Sequence, residues 1–389
     1  MWRKLSSRFD RKRLTLSKTA AARNQQMALD GGGDVEIHGD VLEAVFSHVP
    51  LVDLVSASQV SKSWCGAVSS SLRHHNKPRP WLILHTQGTR LPYATTTHAY
   101  DPRSDSWIEV PRPPIEYISA LKSSHSSFLY MLSPSRFSFS FDPLNFNWHH
   151  VNPPLVWRSD PIVARVGNAV VIAGGGCDFE DDPLAVEIYD LNTRAWRTCD
   201  SMPGNLRDSA ASPWLSVTAT AEKLIVTEKE SGLTHWFDPE TKTWSEPLFL
   251  TPGQPVNCYN IGYTNNGLIL VGRCIIQNVE RVKVWRVGGE DFECEEIGEM
   301  PPEYVEKLRS ESFEDCSIDI RVAGNTIYVY NNNTWDAEEV VGCELTAGGG
   351  CRWWSVRNAV ARERMIAHRL VFTCSEIGIE ELQRAMRRR

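Results

Sequence analysis

The sequence predicts a mainly β protein: a six-bladed β-propeller preceded by a small all-α unit. Three observations carry this. An aromatic-Asp pair followed by Trp six residues after the Asp recurs four times, with the Asp positions 41, 48 and 48 residues apart. Each copy follows a short apolar stretch of strand character, and a period near 48 residues with about four short strands marks a propeller blade. Residues 37–75 differ, with apolar residues at helical rather than alternating spacing.

At 389 residues the chain is long enough for two or three domains. Residues 1–34 hold eight basic and three acidic residues, including Arg11-Lys12-Arg13, and little apolar periodicity. They are expected to form a disordered basic tail, although the same chemistry is found in transit peptides and short nuclear signals. The remainder has 33 basic against 45 acidic residues, and no basic stripe interrupts this excess, which argues against nucleic acid as a partner. No run of 18 apolar residues occurs and the N-terminus lacks a signal-like apolar stretch, so the expectation is no membrane association and a cytoplasmic or nuclear location. The ten cysteines are never closer than eight residues and show no C-x-x-C spacing, which disfavours disulfides and structural zinc.

In the helical stretch, Val41, Leu42, Val45, Phe46 and Val49 define one face of an amphipathic helix with Asp40 at its start, and Pro50 ends it. Leu51, Leu54 and Val55 mark a second short helix; Val60, Trp64 and Val68 mark a third. A unit of about 40 residues cannot bury its own apolar surface well, so something else must cover it: a partner, or the next domain if the unit is only a cap.

The residues that follow Ile37-His38-Gly39-Asp40-Val41-Leu42, through Val49-Pro50-Leu51-Val52-Asp53-Leu54 to Val60-Ser61-Lys62-Ser63-Trp64, resemble an F-box, here placed at 35–77. Two departures are visible: Ile37-His38-Gly39 replaces the usual Leu-Pro opening, and Ser61 replaces Cys before Lys62. The resemblance implies docking onto an SKP-type adaptor, and through it the cullin-RING core of an SCF ubiquitin ligase. The residues implied in that contact are Ile37, Leu42, Val45, Phe46, Pro50, Leu51, Leu54, Val60 and Trp64.

The propeller is expected over 78–375, with a basic C-terminal tail at 376–389. Its four clear repeats are Tyr100-Asp101 to Trp107, Phe141-Asp142 to Trp148, Tyr189-Asp190 to Trp196 and Phe237-Asp238 to Trp244. Each reads as two strands joined by a tight turn. A degenerate fifth copy runs from Trp285-Arg286 to Phe292, and a sixth pairs Cys343-Glu344 with Trp353-Trp354 around a turn lengthened by Ala347-Gly348-Gly349-Gly350. Strands precede the copies at 81–84, 128–132, 170–173, 224–227, 268–271 and 327–330. Trp81 to Thr373 divides into six blades of about 49 residues. Nothing before Trp81 supplies a leading strand for the first blade, so His368 to Phe372 is the expected donor that closes the ring. Gly174-Gly175-Gly176 after a strand, and Met202-Pro203 before Arg207, make the repeats similar to kelch repeats. WD40 blades share the period, but here Trp follows Asp by six residues instead of preceding it.

The repeat tryptophans are expected to pack blade against blade. Function should then sit in loops. Candidate target-binding residues are Trp157 in the 149–160 loop, Trp214, Tyr304 beside a short helix begun by proline after Met300, and Trp335; the 177–183 loop is acidic. Some kelch propellers are copper oxidases, but only His149 and His150 are adjacent here, and neighbours on a strand face opposite sides. No nucleophile elbow, phosphate-binding loop or zinc-protease pattern is present. No catalytic residue, metal or cofactor is therefore expected.

The order of the two modules is similar to that of the plant F-box/kelch-repeat family. The resemblance implies a substrate receptor of an SCF E3 ligase, non-catalytic itself, whose propeller face holds a target protein for ubiquitination and proteasomal degradation. Relatives of this layout include receptors that turn over early phenylpropanoid and flavonoid enzymes such as phenylalanine ammonia-lyase and chalcone synthase, so the resemblance implies that target class as an expectation, which no residue of the chain encodes. The competing class is a kelch scaffold without a ligase.

Overall fold

The computed structural model describes residues 39–74, 79–88, 95–111, 119–176, 182–288, 292–309, 318–332, 338–360 and 368–387. The basic tail, Ile37, Trp335 and most of the acidic 177–183 loop lie outside the described residues. Contacts divide the chain into two compact units, one drawn from Met1–Val49 and Ala57–Asn76, the other from Pro50–Ser56 and Lys77–Arg389.

Three helices occupy the N-terminal region: Gly39–Phe46, Leu51–Ala57 and Lys62–His74. The first and third pack together, burying Leu42, Phe46, Ala67 and Val68. The edge of one ring meets the other where Phe46 and Trp64 approach to 5.3 Å between centroids. Ser61, the residue that departs from the F-box pattern, caps the third helix by accepting the Trp64 backbone N–H at 3.2 Å.

The second unit contains six antiparallel sheets. Blade 1 holds Pro80–Gly88, Thr95–Asp101 and Ser106–Glu109; blade 2 holds Leu129–Ser133, Arg136–Ser140 and His149–Val151. Blades 3 to 6 begin at Ile162, Leu215, Cys258 and Ile318, and five of the six predicted apolar strands fall in the second position of their blades, counted from the centre, while the one in blade 2 is the first of three. Neighbouring blades meet along their first strands, which therefore surround the centre.

Blade 1 receives its central strand from the other end of the chain. His368–Glu376 pairs antiparallel with Pro80–Gly88 over nine residue pairs, from Pro80 opposite Glu376 to Gly88 opposite His368. The predicted donor is correct and extends four residues further. Blade 2 keeps only a remnant of a central strand: Lys122 exchanges both backbone hydrogen bonds with Tyr130, at 2.9 Å each.

Local chemistry explains the repeat. The repeat aspartate, at the end of its strand or, for Asp142, two residues beyond it, accepts backbone N–H groups from the turn that follows: Asp101 from Arg103, Asp142 from Asn145, Asp190 from Asn192 and Thr193, Asp238 from Glu240 and Thr241. Four residues after each aspartate the backbone enters the left-handed region, at Asp105, Phe146, Arg194 and Lys242. The turn places Trp107, Trp196 and Trp244 opposite Tyr100, Tyr189 and Phe237, with ring centroids 5.5, 5.3 and 5.0 Å apart.

These indoles also join blades. Trp107 Nε1 donates to the Arg357 carbonyl of blade 6, Trp196 to Asn152 after blade 2, and Trp244 to Asp200 after blade 3. Each hydrogen bond contributes about 1 kcal/mol net, and the half-buried rings add apolar contact. In the fifth repeat Phe292 takes this place by stacking at 5.7 Å and 3° on Trp236 of blade 4. Blade 2 differs because its outer strand starts one residue after Trp148, and Phe139 instead of Phe141 pairs with His149. The sixth repeat follows expectation: Cys343 lies opposite Trp353, across the 346–350 turn.

Six apolar clusters fill the six gaps between adjacent blades. The cluster between blades 6 and 1 mixes Leu82, Leu84 and Tyr100 with Tyr328, Tyr330, Phe372 and Cys374. The segment 376–389, expected as a tail, instead turns at Ile377-Gly378 into the helix Ile379–Met386. Leu382 and Ala385 fall on its buried face, and Asn145 Nδ2 donates to the Glu381 carbonyl, fixing the helix to blade 2. Arg384 sits between these apolar positions and a run of arginines follows them, which hides the amphipathic pattern in a charge count.

Deleting residues 366–389 removes the central strand of blade 1 and this helix. Thermal unfolding of that variant is expected to be broad and to begin well below that of the full chain; calorimetry giving an unchanged, sharp transition would refute the closure.

Candidate functional site

The first strands all begin at one end of the propeller, and the loops that lead into them gather there. At that end the centre opens into a cavity of about 220 Å³. Its charged lining consists of Lys122, Lys229, Asp319, Arg321 and Arg369, drawn from blades 1, 2, 4 and 6. Arg321 is buried and fully engaged: it donates to the carbonyls of Phe372, Ile320 and Ser123, pairs with Asp319 at 3.4 Å and lies over the Tyr330 ring. Lys122 is held by Asp160 and the Ser159 carbonyl, both at 2.6 Å. Burial opposes charge on Asp319, yet Lys229 and Arg321 hold its carboxyl below the usual carboxylate range.

Two tryptophans are exposed in the loops that enter first strands, and Trp214 lies between the cavity-lining Pro213 and Leu215. Trp157 is 42% exposed in the loop leading into blade 3, with Leu155 at 77%, and Trp214 is 54% exposed at the entry to blade 4. A buried ion pair fixes the first loop. Arg158 donates to Glu187 at 3.0 Å and to the carbonyls of Gly174 and Ala185, while Glu187 accepts the N–H groups of Leu155 and Val156. Both charged side chains are essentially without solvent contact. The two loops are tied by Ser212 N–H to the Asp160 carbonyl at 2.8 Å, and by Gly175 N–H to that of Ala210 at 2.6 Å.

Such close approach requires glycine. Gly174 and Gly175 have φ of 68° and 69°, and a Cβ would strike the Ala210 carbonyl at the first and Pro161 N, at 2.5 Å, at the second. The triple glycine is therefore the seat on which both tryptophan loops rest.

Of the other expected target-binding residues, Tyr304 belongs to the predicted short helix, Pro302–Leu308, but its ring packs against the core between blades 5 and 6 and under the Lys307 ammonium. Proline at the helix start and the burial of Val305 and Leu308 press the helix against the sheets, so Tyr304 is not presented as an anchor. Trp335 lies outside the described residues. His149 and His150 do face opposite ways: His149 stacks on Phe139, and His150 Nδ1 meets Ser138 Oγ at 2.9 Å. Among the described residues no group of His, Cys, Asp or Glu is arranged to hold a metal ion, and no helix is long and apolar enough to cross a membrane.

On the helical side the structure separates two roles that the sequence had merged. Leu42, Phe46, Leu51 and Leu54 are buried, with Leu54 at 0% exposure, whereas Val45 (52%) and Val60 (62%) face solvent and Pro50 and Trp64 are half-buried. Val41, one turn before Val45 and also exposed, belongs to the apolar face read from the sequence but not to the implied adaptor contact; the i, i+4 spacing pairs it with Val45, and only the packing shows which side of the helix is free.

The chain thus carries three short N-terminal helices and a closed propeller with a polar cavity at its centre. The F-box domain family matches residues 39–76. An F-box/kelch-repeat protein of Arabidopsis thaliana is 43% identical over 374 residues, covering 92% of this chain and 94% of that one. The chain therefore belongs to the plant F-box/kelch-repeat family. A second similarity, to the kelch repeat and BTB domain-containing protein 8 of Danio rerio, is 27% over 174 residues, 40% of this chain and 28% of the other.

Glu187→Ala leaves the Arg158 guanidinium buried without its carboxylate and is expected to cost about 3–5 kcal/mol. Urea unfolding checks the magnitude, and Trp157 emission in the native baseline should shift toward that of a solvated, mobile indole.

Proposed function

We propose that this protein is the substrate-recognition subunit of an SCF-type E3 ubiquitin ligase, working in the cytoplasm or nucleus. The observation that carries the reading is the pairing of a family-matched F-box with a propeller that presents fixed, exposed tryptophans on one face. The helical unit takes an SKP-type adaptor and thereby the cullin-RING core. The propeller takes a target protein. Ubiquitin transfer is then accelerated by effective concentration, and no side chain of this chain enters the chemistry.

Adaptor docking is assigned to the solvent-facing apolar residues Val41, Val45 and Val60 and to the half-buried Trp64. Leu42 and Phe46, buried in the same unit, support them from within. Val45→Asp combined with Val60→Asp is expected to abolish co-purification with an SKP-type adaptor at micromolar concentration while leaving the melting curve unchanged. Retained complex would move the contact elsewhere; no complex even with the unmodified chain would favour the scaffold reading, in which the helices serve only as a cap.

Target capture is assigned to Trp157 and Trp214. The target class drawn from relatives of this layout is an early phenylpropanoid or flavonoid enzyme, chalcone synthase or phenylalanine ammonia-lyase. Truncating an aromatic anchor at an interface typically costs about 2 kcal/mol or more, so Trp157→Ala and Trp214→Ala should each weaken pull-down of such an enzyme by roughly thirtyfold. Binding of both enzymes that is absent from the unmodified chain would exclude this target class without touching adaptor binding.

A further inference from the structure

The lining of the central cavity is out of keeping with the rest of the molecule. Outside the N-terminal tail the protein carries a clear acidic excess, yet four cations and a single carboxylate surround this cavity. Two of the cations are committed to structure, Lys122 to Asp160 and Arg321 to three carbonyls and Asp319. The other two make no side-chain hydrogen bond among the described residues. Lys229 has its side chain about nine-tenths buried, and its ammonium finds no hydrogen-bond acceptor among the described residues, only Asp319 at 3.9 Å. An ammonium has three donors and is costly to bury without acceptors. Ser123 Oγ, also in the lining, is likewise buried without a partner among the described residues. Arg369 is exposed at the mouth.

We propose that this cavity is an anion subsite that takes a single carboxylate, held by Lys229 with Ser123 Oγ and with Arg369 at the mouth. Size and charge choose the ligand. About 220 Å³ is smaller than the roughly 300–1,000 Å³ of drug- or cofactor-sized sites, so the occupant is one side chain or a small acid. Asp319 already stands among the cations, which penalises a phosphate of nearly two charges more than a carboxylate of one. Low-dielectric walls concentrate the remaining positive field on that single charge. The carboxylate has two possible sources: a Glu or Asp side chain of a bound protein segment, seated beside Trp157 and Trp214, or a free dicarboxylic acid.

The inference does not depend on ligase recruitment, and its test uses the full chain without adaptor, so the two readings fail separately. A fluorescein-labelled tetraglutamate peptide with blocked termini is titrated by polarisation, beside the tetraglutamine peptide, with glutarate and inorganic phosphate as competitors. The expected result is binding of tetraglutamate alone, weakening with salt, and weakened about tenfold by Lys229→Met and by Arg369→Ala. Because the protein is acidic overall, non-specific attraction works against this outcome. Displacement by millimolar glutarate supports the free acid as the source; resistance to glutarate supports a protein side chain. Arg369→Ala alters an exposed residue and keeps the test decisive if Lys229→Met does not fold. Equal binding of tetraglutamine, unchanged affinity in Arg369→Ala, no binding at all, or displacement by phosphate better than by glutarate would overturn the proposal.

Discussion

The pairing of His368–Glu376 with Pro80–Gly88 is the constraint on which the propeller rests. A ring of sheets left open would expose the edge of its first blade and one unfilled gap between blades, and both costs fall on apolar residues such as Leu82, Leu84 and Phe372. With the ends joined, every gap has two walls. The same strand brings Arg369, Leu370 and Val371 to the central cavity, so closing the ring and building the candidate site are one event.

Closure joins the ends, while the aspartate turn and the indole hydrogen bond repeat around the ring. Asp190 and Asp238 fold their own turns, and Trp196 and Trp244 reach back to the preceding blade. Blade identity and blade adjacency are thereby encoded in the same short motif. Where the motif decays, in blade 5, the aromatic contact survives as Phe292 on Trp236, which indicates that contact between blades, more than the aspartate itself, is what the architecture requires.

The loops that enter the first strands carry a different kind of fixation. Apolar packing gives way there to a buried ion pair, Arg158 with Glu187, and to backbone hydrogen bonds over a glycine seat. An apolar side chain in place of Arg158 could fill the space but could not accept the directional task of holding the carbonyls of Gly174 and Ala185 and the Trp157 loop together. Rigid presentation of Trp157 and Trp214 limits the entropy lost when a partner binds, which is how a small exposed patch can hold a protein.

By itself the sequence determined the fold class, six blades, the identity of the closing strand and the helical start, because each depends on short-range chemistry: a turn fixed by one aspartate, alternation along a strand, i, i+4 spacing along a helix. It also placed Trp157 and Trp214 in loops. It did not separate Leu51 and Leu54, which are buried, from Val45 and Val60, which are not, since both sets share the same helical spacing and only packing decides which side is covered. It read Ile379–Met386 as a tail because interspersed charges mask Leu382 and Ala385. The central cavity was not legible at all: Lys122, Lys229, Asp319, Arg321 and Arg369 are separated by up to 247 residues, and only the closed ring brings their charges into one field.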